Sequence, residues 1–396
     1  MVKIKEIRAF PIKSEMVGAL YREGEATGVT EPRRAPWTKD AEVAGSMSGY
    51  SRFKRLRSSW RFDGGVGCIV IADDGTTGFG ATRYGTPVIS LINDHFAPLL
   101  VGENATATER LYDMMVRMSA PYGSVGLASY SISAVDLALW DLKGKLLGVP
   151  VYELAGGPNR EDIFCYATGN DTDWHMELGF KGTKLACPHG MYDGLDGIKR
   201  NEELVARTRE FIGPDIELML DCWLAFDVEF AVRLAERLRP YGLRWIEDCL
   251  TPENLGAHAS LRSRLPWQTL ATGEHWYGTY PFAHAAANRL ADIFQPDICW
   301  AGGFTALTRI NHIAEAAGIE VILHAGMNTP YGQHFSFAHP NVRWGEYFVG
   351  SGLGKPLKET IVFPGMPVPE NGRLVPNGEP GFGLGLTEAD IDAMRI

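Results

Sequence analysis

Basic residues are in deficit in this sequence, and they are nowhere gathered. Lys and Arg total 38 against 48 Asp and Glu, a formal charge of −10, and no polybasic run breaks the balance. Nucleic acid and anionic membrane surfaces are therefore not expected partners. No apolar run reaches the roughly 20 residues that a membrane-spanning helix needs. Met1-Val2-Lys3-Ile4-Lys5-Glu6-Ile7 leads straight into an alternating, strand-like segment, without the apolar core of a signal peptide. The expected location is the cytoplasm. The six cysteines, at 68, 165, 187, 222, 249 and 299, form no CxxC pair, which argues against a zinc site or a disulfide frame. An anionic substrate must then be met by a local cation or metal, because the overall field repels it.

What the chain does have is core. Its 396 residues are 45% hydrophobic and 11% aromatic, enough for a barrel of about 250 residues with about 150 to spare. The first segment alternates as a strand to Ile12, and residues 15–60 then lose periodicity in Gly-, Pro-, Arg- and Ser-rich text that reads as a lid. Val66 to Gly80 reads as a hairpin turning at Asp73-Asp74-Gly75. From Tyr130, apolar residues at 132, 135, 139, 142 and 146 follow the period of a long buried helix, stopped by Gly148 and Pro150. Ile163–Ala167 and Thr183–Ala186 read as the first two barrel strands, and Val228–Leu238 as an amphipathic crossover helix. After about 360 the text is rich in Pro and Gly, with enough apolar residues to pack back on the N-terminal part.

The most informative feature is a rhythm of polar residues that close short apolar runs. Asp221, Glu247, Glu274, Asp297, His324 and Glu346 fall 22 to 27 residues apart, the length of a strand, a helix and two loops in a parallel βα array. One acid after an apolar run is ordinarily a turn or helix-capping residue. Six in one register point instead to a shared mouth at the C-terminal ends of barrel strands, where such barrels keep their chemistry. The three carboxylates that open the series, with no cysteine or histidine among them, favour a hard, oxygen-seeking cation.

With these residues stand Ser133-Ala134-Val135-Asp136-Leu137-Ala138-Leu139-Trp140-Asp141-Leu142-Lys143, Leu218-Met219-Leu220-Asp221-Cys222-Trp223, Arg244-Trp245-Ile246-Glu247, Gly273-Glu274-His275 and Gln295-Pro296-Asp297. In these motifs the chain resembles the enolase superfamily, mandelate racemase branch, and within it the rhamnonate dehydratase family. The resemblance implies an α/β fold: a modified TIM (β/α)7β-type barrel at 129–360, an α+β capping domain at 1–128 with its lid at about 15–60, and a segment at 361–396 packing back on the cap. It implies one Mg²⁺ per subunit on Asp221, Glu247 and Glu274, a His324-Asp297 base dyad, and Glu346 as a donor to a substrate carboxylate when protonated. It also implies an even-numbered homo-oligomer such as an octamer.

Relatives carry Lys-x-Lys on the second strand, the second lysine being a base on the face opposite the histidine. Here the text is Lys184-Leu185-Ala186. One face then lacks a base, which favours dehydration over racemisation: His324 takes the C2 proton of a sugar acid and returns a proton to the departing C3 hydroxyl, giving a 2-keto-3-deoxy acid. L-Rhamnonate is the expected substrate, L-lyxonate and L-mannonate the alternatives, and a hydroxy-acid racemase or epimerase a different reading of the same site. A non-catalytic sugar-acid binder would not need the dyad. Lys184 lies beside the substrate carboxylate or is structural. His275 contacts a substrate hydroxyl, assists its loss, or supports Glu274 from behind. Arg57 aligns with a substrate-binding arginine of the lid, against the plain reading of Lys54 to Arg57 as a solvated basic patch. Trp37 is expected to shape the distal pocket, although Pro32 to Trp37 departs from the family pattern there.

Overall fold

A computed structural model describes residues 1–12, 44–51, 65–351, 353–360, 363 and 365–396. Strand β1 (Ile4–Ile12) pairs antiparallel with β2 (Gly65–Ala72), which forms the expected hairpin with β3 (Thr77–Thr82). These three make the small capping sheet. The helix Leu127–Leu147 is buried nearly all round because it is clamped between that sheet and the barrel, and Gly148 ends it in a left-handed conformation. Its apolar residues therefore occupy every face rather than one stripe.

The barrel strands are β4 (Ile163–Thr168), β5 (Gly182–Ala186), β6 (Glu217–Asp221), β7 (Ile246–Glu247), β8 (Leu270–Thr272), β9 (Ile293–Phe294), β10 (Glu320–Val321) and β11 (Trp344–Phe348). They run parallel in the order β10-β9-β8-β7-β6-β5-β4-β11, and β12 (Arg373–Leu374) adds antiparallel to β4. The result is a curled parallel sheet with crossover helices such as Val228–Leu238, a modified (β/α) barrel. The seam between β10 and β11 is bridged beyond the strands, where the Ala325 N–H donates to Glu346 Oε2 at 2.8 Å.

Cap and barrel are joined by buried polar contacts from the long helix. Asp136 accepts from the Thr305 hydroxyl at 2.6 Å and its N–H at 2.9 Å. Ser129 donates to the Trp300 carbonyl at 2.6 Å. Asp141 accepts from the N–H groups of Phe79 and Phe382, both at 2.9 Å, and from Lys145 at 2.7 Å. The C-terminal segment reaches the cap through an Ile12–Arg395 bridge, with Ile391 and Met394 packed in the same cluster as Phe10 and Ile12.

Close packing of the hairpin on this helix depends on two glycines. A Cβ on Gly78 would stand 2.1 Å from the Ala138 carbonyl oxygen, and one on Gly80 2.1 Å from that of Ala134. Gly80→Ala is expected to force sheet and helix apart and to cost about 1–3 kcal/mol, measured as a lower denaturant midpoint. An unchanged midpoint would show that this contact does not constrain the cap.

Candidate active site

Side chains alternate along a strand, so residues two apart share a face. Tyr166, Met219, Trp245, Ala271, Ile293 and Ile322 form the apolar cluster inside the barrel, with Trp344 packed against it. Two residues further along their strands stand Thr168, Asp221, Glu247, Gly273, Gln295, His324 and Glu346. The polar ring is thus the next inward layer above the core. The hydrogen-bonded strands are shorter than the apolar runs suggested: β8 ends at Thr272 and β10 at Val321, leaving Glu274 and His324 on the turns just beyond.

Those turns are sharp. Trp223, Leu224, Asp248 and Ala325 have φ of 38°, 64°, 50° and 51°, a left-handed conformation costly for residues with a Cβ, and all four follow strand ends at this mouth. Concentrated backbone strain of this kind is a mark of functional sites.

His324 is buried, and its Nδ1 lies 2.8 Å from Asp297 Oδ2, so the aspartate keeps the proton on Nδ1. Asp297 is itself held by the Cys299 N–H at 2.7 Å. His324 Nε2 faces Glu274 Oε2 at 3.6 Å, and the Trp300 ring packs on the imidazole with centroids 4.7 Å apart. Burial pulls this imidazolium down, but Glu274 and Asp297 outweigh it and raise its pKa to about 10. A cleft between the end of β3 and the barrel, lined by Thr82, Arg83, Trp300, Asp297 and His324, reaches the dyad.

Lys184 is fully buried between two carboxylates, Glu247 Oε1 and Glu346 Oε1, the latter at 2.6 Å. Glu346 also accepts from the Thr168 hydroxyl at 2.6 Å and from the Ala325 N–H at 2.8 Å. Burial pushes its carboxyl up, and Lys184 and His324 reverse that, so it sits below its ordinary range. These contacts favour the ionised, accepting form of Glu346, whereas its expected donation to a substrate carboxylate belongs to the protonated form; Lys184 is held between the two acids. Glu247 Oε2 accepts from the Trp245 indole at 2.8 Å, while burial, against the pull of Lys184, lifts its carboxyl to about 8.

Glu274 is the exposed nerve of the arrangement. Both carboxylate oxygens are buried and accept no hydrogen bond, and burial raises the group to about 7 in spite of His324 and His275. Among the described residues, the acidic and histidine groups whose ligand atoms all come within 4.8 Å of one another are Asp248, Glu274 and His275. Of the three carboxylates expected to share a cation, Asp221 and Glu247 stand opposite each other in register on β6 and β7, but Glu247 is turned to Lys184 and Asp221 accepts from the Trp223 N–H at 3.0 Å. Glu274 belongs to both sets. A buried carboxylate without donors, ringed by further hard oxygen atoms, fits a divalent cation.

Asp248 escaped the sequence reading. It accepts from Thr272 at 2.9 Å and lies 3.1 Å from His275 Nδ1, making a second His-Asp pair beside Glu274. Its position directly after Glu247 was the available signal, hidden by the more regular spacing of its neighbour. Ala186 ends β5 opposite Asp221, its N–H bound by Asn170 Oδ1 at 2.9 Å. Arg57 and Trp37 lie outside the described residues.

Comparison with known proteins shows the family. Residues 65–156 match the family described as mandelate racemase / muconate lactonizing enzyme, N-terminal domain, and residues 172–390 match enolase C-terminal domain-like proteins. L-Rhamnonate dehydratase of Saccharopolyspora erythraea is 36% identical over 382 residues, 95% of this chain and 97% of that protein. The crystal structure of rhamnonate dehydratase from Gibberella zeae complexed with Mg is 32% identical with a TM-score of 0.88, covering 99% of this chain and 96% of that one. The 3,6-anhydro-D-galactonate cycloisomerase from Zobellia galactanivorans is 26% identical with a TM-score of 0.76, covering 99% of both chains.

The raised histidines make a prediction about stability. His324 at about 10 and His275 at about 9 both stand above their ordinary value of 6.5. Their stabilisation is fully present below the unfolded value and is lost as pH rises through the folded values. In EDTA, unfolding free energy should therefore fall between pH 7 and 10, and His324→Asn should flatten that fall. A profile unchanged by His324→Asn would remove the imidazolium from the account.

Proposed function

This chain belongs to the mandelate racemase / muconate lactonizing enzyme branch of the enolase superfamily, and we propose that it is a Mg²⁺-dependent acid-sugar dehydratase acting on L-rhamnonate or a close stereochemical relative. The observation that carries the reading is an asymmetry of bases. His324, oriented by Asp297, stands at the mouth with Nε2 toward Glu274, whose charge a bound cation would take up to free the imidazole as a base, whereas the end of β5 holds Ala186 and the nearby Lys184 is tied to Glu247 and Glu346.

Asp221, Glu247 and Glu274 would hold one Mg²⁺ per subunit, with Asp248 and His275 fixing the surroundings of Glu274. Held there, such an ion would supply positive charge for the substrate carboxylate and for the negative charge that grows on it as the neighbouring carbon loses its proton. His324 Nε2 removes the C2 proton while Asp297 holds the imidazolium that results. The same nitrogen then gives a proton to the C3 hydroxyl, which leaves as water, and the enol rearranges to the 2-keto-3-deoxy acid. One histidine serving both carbons requires syn elimination. Ionised Glu346 contributes by holding Lys184 and the Ala325 turn, which places His324. His275, with Nδ1 fixed by Asp248, would present its Nε2–H as a donor to a substrate hydroxyl. Arg57 and Trp37 are proposed contacts for the carboxylate and the distal carbons.

The test is a panel of hexonic and pentonic acids assayed for 2-keto acid formation, with Mg²⁺ and with EDTA. L-Rhamnonate, L-lyxonate or L-mannonate should give product only with the metal, and Glu247→Gln should lose at least a hundredfold in kcat/KM through the loss of one anionic ligand. Turnover that persists in EDTA, or no product from any aldonate, would sink the assignment.

A further inference from the structure

A cavity of about 450 Å³ lies far from the chemistry. Its walls come from the long helix Leu127–Leu147, the loop before β4, the second half of the helix Gly303–Ala316 that leads to β10, and the residues after the helix Pro330–Ala338 that leads to β11. These segments meet at the N-terminal end of the barrel strands, opposite the mouth that holds His324. The volume is within the range of small-molecule sites.

Its polar groups are specific. Asn311 lines the cavity and is only 1% exposed, yet its Oδ1 has no hydrogen-bond partner. A buried amide oxygen left without a donor is costly, and a donor brought into the cavity by a ligand would offset that cost. His339 is also on the wall. Its Nδ1 lies 2.9 Å from the Phe335 carbonyl and so carries the proton, and burial lowers its pKa to about 4, which leaves Nε2 a bare acceptor. Glu315 adds an acceptor at the rim.

Against these acceptors stands one cation. Lys143, half-buried, lies over the Trp140 ring at 4.9 Å from its centroid. Glu109, the acid beside it on the wall, is engaged by Arg309. Trp140 is pinned by its indole N–H, which donates to Thr305 at 2.9 Å, so the ring is a fixed platform. Buried acceptors, a cation and an aromatic face complement a molecule with several hydroxyl donors, one anionic group and a C–H surface.

We propose that this cavity is a second ligand site, separate from the barrel mouth, for a small polyhydroxylated anion. Lys143 takes the anionic group, Asn311 Oδ1 and His339 Nε2 take hydroxyls, and Trp140 takes the carbon chain. A carboxylate and a phosphate would satisfy Lys143 equally, so the anion's source is a question for measurement.

Calorimetric titration of the Mg²⁺-loaded enzyme with D-gluconate, D-glucose 6-phosphate and neutral sorbitol tests this, in the wild type and in Lys143→Met and Asn311→Leu. At least one anion should bind and sorbitol should not. Lys143→Met should weaken the anion about tenfold or more, Asn311→Leu should weaken it as well, and turnover at the barrel mouth should be unchanged in both. The tighter of the two anions identifies the headgroup. Equal anion binding in the wild type and Lys143→Met would place the ligand at the barrel mouth and overturn the proposal. So would failure of both anions to bind, which leaves the cavity to water, or sorbitol binding as tightly as the anions. Lys143 is half-buried at the rim, so its variant remains informative if Asn311→Leu does not fold.

Discussion

Taking several carboxylates out of water within one barrel mouth costs free energy that only nearby positive charge offsets. Asp221, Glu247, Glu274, Asp297 and Glu346 converge there, and the cations of the chain are unevenly shared among them. Lys184 shares its single charge between Glu247 and Glu346, and His324 is committed through Nδ1 to Asp297. Glu274 is left with two oxygen atoms that accept no hydrogen bond and face the imidazoles of His275 at 3.4 Å and His324 at 3.6 Å. Burial lifts Glu247 and Glu274, the neighbouring acids draw protons onto His324 and His275, Lys184 holds Glu346 below its ordinary range, and the surplus of buried acids fits a divalent ion.

The fold's part is to keep the groups from relaxing away. Alternation along the strands puts the ring directly above the aromatic and aliphatic core, so no acid can turn inward. Left-handed turns at Trp223, Leu224, Asp248 and Ala325 re-aim the chain at once after the acids. From the other side, Ser129 holds the Trp300 carbonyl and Asp136 anchors the start of the following helix. Trp300 is in turn packed on His324. Cap, helix and base are thereby linked by a chain of buried contacts.

Much of this was legible in the sequence because it is periodic. The repeat of polar residues at strand ends, the long buried helix and the helix Val228–Leu238 follow from spacing alone, and the structure places them so. Side-chain pairing is not periodic, and there the reading ran short. Nothing in the spacing shows that Lys184 lies against Glu346 at 2.6 Å, a contact that favours the ionised acid. Asp248 was obscured by Glu247 because adjacent residues leave a strand on opposite faces, until the left-handed turn at Asp248 brings its carboxylate back beside His275. The cavity at the barrel's far end uses residues from four separate segments, and no motif links them.

The central claim is that one histidine performs both proton transfers, the end of β5 holding Ala186 where a second base would stand. It is tested most directly by incubating L-rhamnonate with the Mg²⁺-loaded enzyme in D₂O and following both recovered substrate and product by NMR. The account predicts that recovered substrate keeps its C2 configuration, and that any C2 deuterium in it disappears with His324→Asn together with product formation. Accumulation of the C2 epimer, or C2 exchange that survives in His324→Asn, would reveal another base and contradict the account.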